Sequence, residues 1–549
     1  MTPIWEALTA GAAAGSGSLN CWTDGGYVKV PWAGVSHDAE RLVGGLRQVG
    51  VRPGETAAAI LTNTPAAVRG TLGTWLAGGR LASLPVPARG MDADAYLGQL
   101  EVLCRRLAPS VLLVDAGMVE MLEARLGSVV PVRSWESLAG GPVASPSPPG
   151  DDDIAFVQFS SGSTSVPKGC MLTTRAIETQ VAMIMAMLDT YPGEGCDVSW
   201  LPLSHDMGMF GNLLTPWAND VDLVLSPPER FMMNPRSWFD DISRFGGTFT
   251  CSTNTGLHVA AVRQGTRRLP EPLKLRTIIL GAERLNPQTL DLAIEAFGPD
   301  GLTPEVLMPA YGLAEATLAV TATPVDEPPR SIVVDSGALA EGRVELVEDD
   351  HPTATRILSG GRALPGIELP GLREDLLAEI VVSSPCLSTG YVGDPERTAE
   401  RFVDGAFHTG DLGFLADGHL YPVGRADDVI QVGGRNVHAQ EIEALIDEIP
   451  GVRKGCSTIV AIDGEPQRLV LLAELTDDAA LEPERLAEEA AGVAMSTAAV
   501  SLDQCVFLAR GALPKTPSGK IQRYRCRTLL LDEGFEPTAN ITFGQPAAS

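Results

Sequence analysis

The chain has 549 residues, 44% of them hydrophobic, which is enough to bury several cores and points to more than one domain. Its 41 basic and 69 acidic residues leave a formal charge of −28, a surplus that repels phosphate backbones and anionic lipid at long range and argues against a nucleic-acid partner. No basic stretch precedes the small residues of "MTPIWEALTAGAAAGSGSLN", and no apolar run is long enough for a bilayer span, so a cytoplasmic protein with no membrane span is expected. Nine cysteines from Cys21 to Cys526 include no C-x-x-C pair, which suggests ordinary buried thiols rather than a disulfide framework or a zinc site.

After a polar start, "DAERLVGGLRQVG" has helical spacing, "AAAIL" reads as an apolar strand, and a second helix and strand follow. "LEVLCRRLAPSVLLVDAGMVEMLEARLGSVVPV" repeats the alternation, and such repeats predict an α/β fold with parallel sheets. The loop "GGPVASPSPPGDDD" closes this section before the strand "IAFVQF". Further strands ending in polar loops lie in "VSWLPLSHD", "LRTIILGAERL" and "VLMPAYGLAEATLAV", and open α/β sheets bind ligands at such ends. Past "DEPPR" the pattern turns to strands and turns, giving a small β subdomain at approximately 331–425 within an N-terminal domain of residues 1–425. "EIEALIDEI", "CSTIVAI", "RLVLLAEL" and "LEPERLAEEAAGVA" then predict a compact α+β C-terminal domain over 426–549.

Directly after "IAFVQF" comes "FSSGSTSVPKG", which three readings compete to explain. Short Gly/Ser loops are usually connectors, yet a connector does not require the lysine. Gly162 and Lys168 have the separation of a Walker loop, but Pro167 stands at the second glycine and lacks an N–H to give a phosphate, while Gly169 replaces the metal-binding hydroxyl. The third reading is a polyphosphate clamp in which hydroxyls and backbone N–H groups bond the phosphates and Lys168 adds charge.

The loop resembles the phosphate loop of the adenylate-forming superfamily, which includes acyl-CoA synthetases, luciferases and peptide-synthetase adenylation domains. Ser160 replaces that motif's first Thr, and Ser165 its usual Gly. "MPAYGLAEATL" is similar to the family's adenine and metal motif, with Tyr311 and Gly312 beside adenine and Glu315 on Mg²⁺. "LGAERL" supplies Gly281, Ala282 and Glu283 where the family flanks adenine. "FHTGDLGFLADGHLYPVGRADD" places Asp411 and Arg425 at the ribose and Asp427 at the hinge to a mobile C-terminal domain. "LPKTPSGKIQRYRCR" carries Lys520, whose ammonium the resemblance brings to the α-phosphate. These motifs keep the family's order over residues of about 30 to 530.

Within the superfamily the chain resembles fatty acyl-AMP ligases at "SWLPLSHDMGMFGNLLTPW", at Ala314, and in an extra segment before "SGGRALPG" that in that branch packs against the C-terminal domain. Departures are Ser204 for Tyr, Ala378 for Gly, and a shortened "GIELPGLREDLLAEIVV". The resemblance implies an ATP- and Mg²⁺-dependent ligase that joins a carboxylic acid to AMP and passes the acyl group to the phosphopantetheine of an acyl carrier protein. CoA as acceptor and a non-catalytic adenylate-binding protein are the alternatives. Lys520, Glu315 and His205 are the implied catalytic positions. Ser160, Ser161, Gly162, Ser163, Thr164 and Lys168 would hold phosphates, and His205, Asp206, Asn254 and Gly256 the acid. The implied setting is fatty-acid, polyketide or other natural-product metabolism.

Overall fold

The computed structural model describes residues 2–87, 93–160, 167–426, 429–432, 435–462, 468–476, 482–498, 500–515 and 521–543. Two large sheets organise the first three quarters of the chain. In the six-stranded sheet the strands Val132–Ser134, Val111–Val114, Thr56–Ala59, Arg80–Ser83 and Ile154–Ser160 run parallel in that spatial order, and Lys168–Thr173 closes the edge antiparallel. The nine-stranded sheet has a parallel centre of Leu307–Gly312, Thr277–Leu280, Phe249–Ser252, Cys196–Ser199, Asp222–Leu225 and Ser18–Thr23. Short antiparallel strands complete both of its edges. The expected α/β class with parallel sheets is therefore the observed one.

The start of the chain is more deeply integrated than its polar composition suggested. Trp5 and Leu8 are fully buried, the Trp5 indole N–H donates to Pro149 O at 2.8 Å, and Trp32 stacks on Trp217 with ring centroids 5.0 Å apart. Isolated aromatics among alanines and glycines carry no periodic signal, although each buries a large area.

Residues 331–425 hold an antiparallel sheet of Ala378–Val382, Phe402–Val403, Ala406–Ala416 and His419–Arg425. Its long hairpin turns on Asp417 and Gly418, at φ +51° and +75°, the left-handed pair that matches strand twist. Two short helices, Ser336–Ala340 and Pro395–Arg401, were not apparent from the strand-and-turn pattern, and Arg362–Ala363 joins the nine-stranded sheet instead.

Beyond residue 436, four strands (Val452–Ile462, Arg468–Leu475, Gln504–Leu508 and Pro537–Thr542) form a separate sheet. Two apolar clusters drawn wholly from residues 437–543 pack it against its helices. Helix Ser336–Ala340 touches this part, since Ser336 Oγ donates to Thr497 O at 3.4 Å. All nine cysteines are buried free thiols. Among the described residues, no helix is long and apolar enough to cross a membrane.

Candidate active site

Among the described residues, Tyr311, Glu315, Asp411, Arg425, Lys168, His205 and Asp206 collect where the parallel strands of the nine-stranded sheet end and the antiparallel hairpin approaches. Tyr311 lies on strand Leu307–Gly312, and its O–H donates to Asp411 Oδ2 at 2.6 Å. Burial first, and then the Asp411 charge, push the Tyr311 hydroxyl well above the ordinary phenol range, so it stays a donor. Asp411 and Arg425 face each other across the hairpin, with Arg425 Nη1 3.3 Å from Asp411 Oδ1. Gly312 has no room for a side chain: an added Cβ would lie 1.9 Å from Leu318 O.

Glu315 sits in the turn Ala314–Ala316 just after that strand and is buried. Tyr391 O–H donates to its Oε1 at 2.8 Å, and Ser388 N donates to its backbone carbonyl at 2.7 Å. Lys168 begins strand Lys168–Thr173, with its Nζ 5.7 Å from the centre of the Tyr391 ring. Burial is the main cause that lowers the Lys168 pKa; Arg397, Arg425 and Arg401 add to it, and Glu315 opposes them. In a chain of net charge −28, this gathering of Lys168 with three arginines is a local positive field suited to a polyanion.

The turn after strand Thr277–Leu280 carries Gly281, Ala282 and Glu283. Gly281 N donates to Ser252 O at 3.2 Å, and Ala282 adopts φ +68°, a conformation that costs an alanine roughly 1 kcal/mol. Glu283 accepts from the N–H of Thr255, at the start of helix Asn254–Gln264. Asn254 Oδ1 accepts from Asn286 N at 2.9 Å, so it braces the same turn. Thr253 Oγ1 caps the helix by accepting from Gly256 N at 3.1 Å.

His205 and Asp206 open the helical segment Met207–Leu214, and His205 Nδ1 lies 2.6 Å from Asp206 Oδ1. Asp206 also caps that segment, accepting from Met207 N at 2.7 Å. Met207, Leu201 and Cys251 form an apolar wall with Trp200 and Ala282 packed against it, which brings the His205–Asp206 turn to the same strand ends.

Not every expected residue can be placed. Ser160 ends strand Ile154–Ser160 and pairs with Lys168 across the ladder, while Ser161, Gly162, Ser163, Thr164, Asp427 and Lys520 lie outside the described residues. Conversely, Tyr391, Arg397 and Arg401 were not singled out from sequence. Tyr391 is 76 residues from Glu315, and only the turn-rich "STGYVGDPE" around it hinted at a special loop.

A family model described as AMP-binding enzyme matches residues 11–392. The chain is similar to a 4-hydroxyphenylalkanoate adenylyltransferase of Mycobacterium marinum, with 30% identity over 502 residues covering 84% of this chain and 80% of the relative. It is also similar to the long-chain-fatty-acid–AMP ligase FadD32 of Mycolicibacterium smegmatis, with 28% identity over 576 residues, 93% of this chain and 90% of that one. A solved structure from work on fatty acyl-adenylate ligases of E. coli and L. pneumophila matches with TM-score 0.88 at 25% identity, covering 97% of this chain and 98% of the other. The chain belongs to the AMP-binding enzyme family, on its fatty acyl-AMP ligase-like side, and is an ATP-dependent, AMP-forming ligase.

Proposed function

We propose that the protein converts a carboxylic acid and ATP into acyl-AMP and pyrophosphate, and then delivers the acyl group to the phosphopantetheine thiol of a separate carrier protein. In the first step a carboxylate oxygen attacks the α-phosphorus, the bond to the bridging oxygen breaks, and pyrophosphate leaves. In the second step the thiol sulfur attacks the acyl carbon, loses its proton, and AMP departs.

The observation that carries this reading is the joint presence of Tyr311–Asp411–Arg425 and Lys168–Tyr391–Glu315 at one set of strand ends. Asp411 presents a carboxylate to ribose hydroxyls, Tyr311 offers its ring to adenine with Gly281 to Glu283 alongside, and Lys168 with the Ser160–Thr164 loop holds the β and γ phosphates. Lys520, from a C-terminal domain beginning at residue 426 with its hinge at Asp427, would neutralise charge building on the α-phosphate. His205 and Asp206 border the carboxylate.

Glu315 fits a Mg²⁺ role. Its carboxylate is buried, Tyr391 fixes Oε1, and no described donor occupies Oε2. One protein carboxylate plus substrate phosphates and water is the usual Mg²⁺ environment. When bound, the ion neutralises phosphate charge. Carrier protein rather than CoA as acceptor is supported by one relative named for carrier ligation, JamA of Moorena producens, a medium-chain-fatty-acid–[acyl-carrier-protein] ligase. The contact between Ser336 and Thr497, where the extra segment meets the C-terminal helix, is a second support.

The test is acid-dependent pyrophosphate release and hydroxamate trapping over a panel of acids, with wild type and Lys520→Ala. Trapped acyl-AMP is then offered to a holo-carrier or to CoA. Release by wild type only, with thioester on the carrier, is expected. Absence of acid-dependent release, or equal adenylation by the variant, would sink the mechanism.

A further inference from the structure

Residues 390–392 run beside strand Lys168–Thr173. Met171 N donates to Gly390 O at 2.9 Å and Val392 N to Gly169 O at 2.8 Å, which sets the Tyr391 ring next to Lys168. Helix Pro395–Arg401 then folds back onto that segment, because Tyr391 N donates to Thr398 Oγ1 at 2.9 Å. Arg397, the neighbour of Thr398, is thereby brought to the same place. After burial, its charge is the largest cause that lowers the Lys168 pKa, ahead of the opposing Glu315.

The carboxylates around Arg397 are committed elsewhere. Asp394 accepts from the backbone N–H of Arg397 at 3.2 Å and pairs with Arg106 at 3.4 Å. Glu400 lies 3.5 Å from Arg401 Nε, and Glu315 Oε1 is held by Tyr391. Among the described residues, no carboxylate comes within salt-bridge distance of either Arg397 or Lys168, and Arg397 Nε is shielded without a hydrogen-bond partner. Both side chains nevertheless keep part of their surface exposed, so a ligand has access to them. Two half-buried cations held together with no anion between them repel each other, and a bound polyanion relieves that cost. Arg401 differs, since its charge is spread over Glu379, Glu400 and His408 O.

We infer that Arg397 is a phosphate ligand of this enzyme, which with Lys168 grips the β and γ phosphates of ATP and holds pyrophosphate as it leaves. This rests on the proposed placement of Lys168 at those phosphates and adds a residue to it. A guanidinium suits the task, because its planar fork gives two parallel N–H donors to phosphate oxygens and stays charged at any working pH. It also meets the negative charge that grows on the leaving group.

The experiment is equilibrium binding by calorimetry, without acid, of ATP, inorganic pyrophosphate and AMP, each with Mg²⁺. The proteins are wild type, Arg397→Met, which keeps an apolar stem and removes the guanidinium, and Arg397→Lys. Arg397→Met is expected to weaken ATP and pyrophosphate about tenfold and to leave AMP within about twofold of wild type, because AMP has neither a β nor a γ phosphate. Arg397→Lys should recover part of the loss, since it keeps the charge without the fork. Unchanged affinity for ATP and pyrophosphate in Arg397→Met, or equal weakening of all three ligands, overturns the inference. Failure of the adenylation reading shows separately, as a wild type that binds ATP and releases no pyrophosphate with any acid.

Discussion

Replacing Tyr311 by Phe keeps a ring beside the proposed adenine position and removes only the O–H that holds Asp411 Oδ2 at 2.6 Å. A hydrogen bond to a charged group contributes about 1.5–3 kcal/mol. Asp411 is 22% exposed and keeps Arg425 at 3.3 Å, which favours the lower figure, and about 1.5 kcal/mol corresponds to roughly a tenfold change. If the hydroxyl serves to aim Asp411 at the ribose, KM for ATP rises roughly tenfold while kcat stays near wild type. The assay is ATP–pyrophosphate exchange at saturating acid, run in parallel with 2′-deoxyATP. That analogue offers Asp411 one hydroxyl fewer, so the wild-type preference for ATP over it should shrink in the variant. An unchanged KM for ATP, or a loss confined to kcat, refutes the reasoning.

Tyr391→Phe leaves the ring under Lys168 and strips the donor from buried Glu315; a fall of a few degrees in Tm, read by scanning fluorimetry, and roughly tenfold lower kcat/KM for ATP are expected. Asp197 is buried on strand Cys196–Ser199, where Asn212 Nδ2 donates to it at 2.8 and 3.0 Å, and burial pushes its carboxyl up to about 7. Between pH ~4 and about 7 the folded chain therefore binds a proton that the unfolded chain has lost, so Asp197 makes stability fall as pH rises through that window. Asp197→Asn should melt higher than wild type at pH 8, with the gap closing as pH falls towards ~4; the same gap at both pH values would contradict the assignment.

The fold was legible where the pattern was strong. "IAFVQF", "RLVLLAEL" and the Asp417–Gly418 hairpin carry their geometry in local sequence, because an apolar run or a left-handed turn admits few alternatives. The site was partly legible for a different reason: Tyr311, Glu315, Asp411 and Arg425 sit in ordered motifs, and the structure brings them to one place. Tyr391 was not legible, since its partner Glu315 lies far away in sequence and no spacing rule links a tyrosine to a distant carboxylate. The local bonds of Asp206 and Asn254 were not legible either: Asp206 caps a helical segment and Asn254 braces a turn. Short polar side chains satisfy nearby N–H groups readily, which sequence alone does not separate from ligand contact.

The turn Gly281–Asn286 and the first residues of helix Asn254–Gln264 are stapled twice, by Glu283 to Thr255 and by Asn254 to Asn286. One strap lies against the proposed adenine seat and the other end against the proposed acid seat, so ordering either ligand restrains the other's walls. Thermodynamic reciprocity then requires that whatever factor ATP adds to acid affinity, the acid returns to ATP. Glu283→Gln, by loosening the strap, would lower both affinities together and bring the two equilibria closer to independence.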